Sequence, residues 1–185
     1  MRVTGCASKE KGFLNSQLIT QKTWHINYLI EKNTVSKIKH LYIYTDGAAR
    51  GNPGEAGAGI YIRDSLKILL EKGVYLGHTT NNVAEYIAFI LGLKEAEKLG
   101  GNILSLYADS ELLVNQIKGT YKVKDKKLKL LFDKAKKHLS KFIQYEIFYI
   151  KREENRDADR LANKAIDCKA GFNGQDKAIE LIKSL

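Results

Sequence analysis

Four acidic residues stand at the edges of regular patterning, each among unusual neighbours. They are Asp46 in YTDGAARGNPG, Glu85 in TTNNVAEY, Asp109 in LYADSELL and Asp159 in ENRDADRLANKA. Carboxylates are hard oxygen ligands for divalent cations. Two such cations roughly 4 Å apart can clamp the attacking and leaving oxygens of a phosphodiester. The chain around these acids is basic, with 31 Lys and Arg against 21 Asp and Glu and a net charge of +10. Gathered carboxylates repel one another unless cations sit among them. An acidic cluster in a basic chain therefore points to metal ions acting on a polyanion. No His or Cys cluster with zinc spacing competes, and no Gly-x-Ser-x-Gly suggests acyl transfer.

Each acid also has an ordinary structural explanation. Glu85 follows Asn82 at the spacing of a capping box. Asp109-Ser110 suits the N-cap of a following helix. Asp157 suits the N-cap of the last helix, with Asp159 as a favourable charge in its first turn. Asp46-Gly47 suits a turn. Taken one at a time these explanations are the better ones. Taken together, four acids each at the edge of an element favour a common site.

The elements must then bring them together. LYIYTD reads as a strand ending in an acid. GAARGNPGEAGAG is turn-rich and holds the only proline of the chain. GIYIRD and LKILLEKGVYLG follow as two strands joined at Asp64-Ser65, giving an antiparallel meander. VAEYIAFILGLKEAEKLG has helical spacing at Val83, Ile87, Ile90, Leu91 and Leu93, places Glu85 in its first turn, and is stopped by Gly100-Gly101. ILSLYAD is a fourth strand and SELLVNQIKG a short helix ended by Gly119. DKKLKLLFDKAKKHLSKF is a helix with an apolar stripe and lysine on its other faces. QYEIFYI is a fifth strand and DADRLANKAID a final helix. The order βββαβααβα predicts an α/β fold with a mixed five-stranded sheet, three antiparallel strands and then parallel ones, flanked by helices. In such sheets ligands bind beyond the carboxyl ends of strands, where Asp46, Asp109 and the end of the fifth strand are expected.

TTNN precedes a helix, whose N-terminus can hold a phosphate, and Thr80, Asn81 and Asn82 can add side-chain hydrogen bonds. The glycines around GNPG let backbone approach a ribose closely. Residues 118–152 hold twelve basic and three acidic residues, a surface that suits nucleic acid but also an ordinary solvated face. The 185 residues and 44% hydrophobic content allow one domain with a real core. No apolar run approaches the roughly 20 residues that span a bilayer, and the N-terminus lacks a signal peptide's pattern. Cys6 and Cys168 read as free thiols in a reducing cytoplasm rather than as a disulfide. Residues 1–40 form an extension of unknown role, with Trp24 reading as a packing residue. Residues 41–166 form the domain, and 167–185 a tail of helical pattern.

In order and spacing, YTDGAARGNPGEAGAG, TTNNVAEY, LYADSELLVNQIKG and ENRDADRLANKA together resemble type 1 ribonuclease H, over residues 41–166. The resemblance implies the ribonuclease H-like fold and an endonuclease that cuts the RNA strand of an RNA–DNA hybrid. It implies two Mg²⁺ ions, with Mn²⁺ able to substitute, and 5′-phosphate and 3′-hydroxyl products. By motif match Asp46 would bridge both ions, Glu85 and Asp109 would bind the ion that activates water, and Asp159 would bind the second. Asp157 is its rival, but the AD-x-LAN context favours Asp159. Asn52, Asn81 and Asn82 would contact the hybrid in its minor groove, and Thr80 with Asn52 a DNA-strand phosphate.

Three features depart from the family pattern. The loop IKREENRD lacks the histidine that many members use in product release, leaving Glu153 and Glu154 as candidates for that role. GTYKVKDKKLKLL is too short for a basic protrusion, so the chain reads as a protrusion-less form compensated by Lys126, Lys127, Lys129, Lys134, Lys136 and Lys137. Residues 1–40 do not match a hybrid-binding domain. The expected protein is a cytoplasmic monomer whose partner is an RNA–DNA hybrid, with no membrane. The alternatives are a non-catalytic hybrid-binding module on the same fold and an integrase- or resolvase-like nuclease.

Overall fold

The computed structural model describes residues 38–169. Most of the N-terminal extension, with Cys6 and Trp24, and nearly all of the tail lie outside the described residues. The elements are β1 (His40–Gly51), β2 (Gly54–Arg63), β3 (Ile68–Thr79), α1 (Asn81–Lys98), β4 (Ile103–Ala108), α2 (Glu111–Lys118), α3 (Lys126–Leu139), β5 (Gln144–Tyr149) and α4 (Arg156–Cys168), with a 3₁₀ turn at Arg152–Glu154 before α4. This is the order βββαβααβα expected from the sequence. The sheet runs β3-β2-β1-β4-β5. β1, β2 and β3 pair antiparallel, while β1–β4 and β4–β5 are parallel.

The two faces of the sheet are covered differently. α1 lies on the face that carries Ile43, Thr45 and Ile60, whose side chains meet the helix at Gly92. It is buried almost without interruption from Val83 to Leu93 because it is sandwiched between the sheet and α3. That explains its nearly continuous apolar sequence: a helix covered on both sides needs no polar stripe. α4 lies on the opposite face, against β1, β2 and β3, and turns Ala158, Leu161, Ala162, Ala165 and Ile166 inward. Among the described residues no helix is long and apolar enough to cross a membrane.

The glycine-rich stretch corrects one expectation. GAARGNPGEAGAG, turn-rich in composition, is mostly the paired ends of β1 and β2 and turns only at Asn52-Pro53. Its glycines serve packing. A Cβ at Gly59 would lie 1.9 Å from the Ala158 carbonyl oxygen, at Gly57 2.4 Å from that of Ala162, and at Gly73 of β3 2.6 Å from that of Leu161. Small residues on both sides let the α4 backbone rest directly on the sheet. Turn-forming composition and close approach use the same residue, so local sequence could not separate them.

Candidate active site

Asp46 is not at the end of β1, as its sequence context suggested. It is mid-strand, paired with Gly59 of β2. The parallel ladder with β4, however, ends one residue earlier, at Thr45 opposite Ala108. Asp46 is thus the first residue beyond the fork where β1 and β4 part, and Asp109 is the first residue after β4. The fork sets the two carboxylates side by side. Glu85 arrives from α1. That helix begins at Asn81, so Glu85 falls in its second turn rather than its first. It lies over Gly47, where a Cβ would be 2.1 Å from the Glu85 nitrogen, and the Gly47 amide donates to Glu85 Oε2 at 3.1 Å.

The ordinary explanations for these acids fail one by one. Thr80, not Asn82, caps α1 by accepting from the Val83 amide, and Glu85 is committed to Gly47 instead of a capping box. Ser110, not Asp109, caps α2 by accepting from Leu113. Asn155 occupies the N-cap position of α4 without a side-chain capping bond, and Asp157 and Asp159 both fall in the first turn. None of Asp46, Glu85 and Asp109 caps a helix or closes a turn.

One ligand oxygen from each of Asp46, Glu85 and Asp109 lies within 4.8 Å of the others. Asp46 and Glu85 are only 5% exposed. Burial, then the charge of Asp109 and then that of Asp159, pushes the Asp46 carboxyl up to about 7. Burial and the charges of Asp46 and Asp109 hold Glu85 well above the usual carboxylate range. Asp46 Oδ2 is buried with no hydrogen-bond partner among the described residues. A buried carboxylate oxygen without a partner, on a residue gathered with two other carboxylates, is costly unless a cation offsets the charge. The donor set is all oxygen, which suits Mg²⁺ or Mn²⁺. The residues therefore fit a hard divalent cation.

Asp159 is near enough to act on Asp46 but stands outside that trio, and the Arg152 guanidinium donates to its Oδ1. Its rival Asp157 faces Arg160 at 3.5 Å and lines a cavity with Tyr44, Tyr61, Arg63, Glu154 and Asn155. Of the two, Asp159 is the one whose charge acts on Asp46. Asn52 and Asn81 meet directly, since Asn52 Oδ1 accepts from the Asn81 amide at 3.2 Å. The β1–β2 turn and the start of α1 therefore form one ledge, with Thr80 in its cap and Asn82 exposed. Glu153 and Glu154 are exposed on the 3₁₀ turn. On α3, Lys129 pairs with Asp133, and Lys136 donates to the Tyr145 hydroxyl.

Sequence reasoning missed Asn155. It is 1% exposed and its Nδ2 donates both to the Thr45 carbonyl at 3.0 Å and to Asp109 Oδ1 at 2.7 Å. It ties the start of α4 to the fork and fixes the Asp109 carboxylate. Its partners lie 110 and 46 residues away, so no local pattern marks it.

Residues 44–165 match the sequence profile of the family described as Reverse transcriptase-like. RNase H1 from the halophilic archaeon Halobacterium salinarum is similar in structure, with a TM-score of 0.68 and 36% identity over 70% of this chain and 98% of that one. The chain belongs to the type 1 ribonuclease H family. LC11-RNase H1 from compost, solved in complex with an RNA/DNA hybrid, is 42% identical with a TM-score of 0.67, covering 71% of this chain and 99% of that one. The bifunctional protein Rv2228c of Mycobacterium tuberculosis is 42% identical over 132 residues, 70% of this chain. The chain spans only 36% of that protein's length. The five-stranded mixed sheet and flanking helices are those of the family fold.

Proposed function

We propose that the chain is an endonuclease that hydrolyses the RNA strand of RNA–DNA hybrids with the help of two divalent cations. The observation that carries this is the convergence of Asp46, Glu85 and Asp109 at the β1–β4 fork, where one oxygen of each lies within 4.8 Å of the others. The likeness to an RNase H1 solved with an RNA/DNA hybrid supports the substrate class.

Asp46 would touch both cations, Glu85 and Asp109 would hold one with it, and Asp159 the other. Bound there, divalent cations supply an activated water and stabilise charge on the leaving oxygen. The residues do the rest. Asn155 holds Asp109 in one rotamer, and the Gly47 amide does the same for Glu85, so the acceptors are aimed before substrate arrives. The ledge formed by Asn52, Thr80, Asn81 and Asn82 would lie along the minor groove, which displays the 2′-hydroxyls that separate RNA from DNA. Water adds to phosphorus and the bond to the 3′-oxygen breaks, leaving 3′-hydroxyl and 5′-phosphate ends. Glu153 and Glu154, exposed beside the site, would help the product leave. The lysines of α3 would bind backbone without reading sequence. The exposed Cys168 thiol suits a reducing cytoplasm, and we take the monomer as the working unit.

Asp109→Asn tests this directly. It should abolish hybrid cleavage while hybrid binding, followed by fluorescence anisotropy in Ca²⁺, survives. Turnover near that of the unaltered protein would refute the assignment.

A further inference from the structure

The 3₁₀ turn that carries Glu153 and Glu154 begins with Arg152. Its guanidinium donates to Asp159 Oδ1, and its positive charge is felt at both Asp46 and Glu85, lowering each. This guanidinium therefore offsets part of the negative charge gathered at the fork. Asp159, paired with Arg152, is not among the three carboxylates whose oxygens gather within 4.8 Å.

We propose that Arg152 is an exchangeable counter-cation that withholds Asp159 from the carboxylate cluster until a divalent ion displaces it, and so sets how much metal the site requires. The inference rests on the metal-site reading above. Its physical basis is competition for one acceptor. A guanidinium and a divalent cation both want the same Asp159 oxygen, and a carboxylate committed to a guanidinium is a poorer ligand. Once displaced, the long Arg152 side chain has somewhere to go. It is 69% exposed, whereas Asp159 is 27% exposed, so the arginine is the partner free to move. The turn carrying it is a single turn of 3₁₀ helix with no buried residue. An exposed ion pair is often energetically neutral. What sets this one apart is that its acid is a ligand candidate and its cation acts on two more.

The competition has a sign that a merely structural role would not produce. Removing Arg152 should tighten metal binding, because a competitor and a positive charge both leave. The test is the binding of Mn²⁺ alone to the full chain, without nucleic acid, at pH 8 and low salt, by calorimetry. Arg152→Gln should lower the dissociation constant about three- to ten-fold, the scale of losing an ion pair beside a divalent ion. Arg152→Lys, which keeps the charge, should lie within about two-fold of the unaltered protein. In an Asp159→Asn background the gain from Arg152→Gln should shrink, since there is nothing left to withhold.

Equal or weaker Mn²⁺ binding by Arg152→Gln would overturn the proposal. A full gain that persists in Asp159→Asn would overturn the part that runs through Asp159. Asp46→Asn separates the two levels. If it binds Mn²⁺ as tightly as the unaltered protein, the metal-site reading itself falls. If it loses Mn²⁺ while Arg152→Gln shows no gain, only the counter-cation falls.

Discussion

Replacing Asp46 by Asn should inactivate the protein and at the same time stabilise it. The Asp46 carboxyl is held at about 7 in the fold against an ordinary value of 3.8, by burial and by the charges of Asp109 and Asp159. A carboxyl raised in this way binds its proton more tightly in the folded state than in the unfolded one. Its contribution is favourable at low pH and is lost as pH rises from about 4 to above 7. At about 1.4 kcal/mol per tenfold change in proton affinity, complete ionisation at pH 8 costs roughly 4 kcal/mol. Relaxation of the cluster and of Arg152 reduces that to about 2–4 kcal/mol. Asparagine carries no charge and nearly the same shape. In urea denaturation with EDTA, Asp46→Asn should therefore exceed the unaltered protein by about 2–4 kcal/mol at pH 8. At pH 5 the gap should narrow to about 1–2 kcal/mol, because Asp46 is then protonated in the fold but still ionises in the unfolded chain, and it should vanish only below about pH 4. Saturating Mg²⁺ should close the gap at pH 8, because the cation supplies what the cluster lacks. Equal stability at pH 8 in EDTA, or a gap independent of pH, would refute this account of the cluster.

Three further outcomes follow from the same structure. Asp159→Asn should cut hybrid turnover severely while Asp157→Asn, which loses only its partner Arg160, should stay within a few-fold; steady-state rates on one hybrid would reveal the reverse order if the helix register has been misassigned. Gly59→Ala should lower stability by about 2–3 kcal/mol in urea melts and depress activity with it, since its Cβ would collide with the Ala158 carbonyl and lift the helix carrying Asp159. Neutralising Lys126, Lys127 and Lys129 should weaken hybrid binding and flatten its log-log salt slope by about two rather than three, because Lys129 is engaged by Asp133; an unchanged slope would make that face an ordinary solvated one.

The legible and illegible parts of this chain divide by range. Helix stops lay in short motifs, as where Gly119 ends α2 in a left-handed conformation, but starts were only partly legible: Ser110 caps α2, whereas Thr80 rather than Asn82 caps α1 and Asn155 rather than Asp157 holds the N-cap position of α4. The strand–helix order, and from it the mixed sheet, could be read the same way. The close contact of α4 with the sheet could not, because Gly57, Gly59 and Gly73 look like turn residues until the helix above them is known. The acids could be picked out from their neighbours, yet each had a local explanation that only tertiary partners removed. Glu85 needed Gly47, and Asp109 needed Asn155. Nothing in the local sequence singles out Arg152 among the 31 Lys and Arg of the chain. Its meaning lies in the acid it holds, seven residues further on in α4.

The most direct measurement is cleavage of a hybrid with its RNA strand labelled, with Mg²⁺ or EDTA, beside duplex RNA and duplex DNA of the same sequence. The account predicts metal-dependent cutting of the RNA strand within the hybrid, products ending in 5′-phosphate and 3′-hydroxyl, and no comparable cutting of either control duplex. Absence of hybrid cleavage with Mg²⁺ and with Mn²⁺, or equal cutting of duplex DNA, would contradict it.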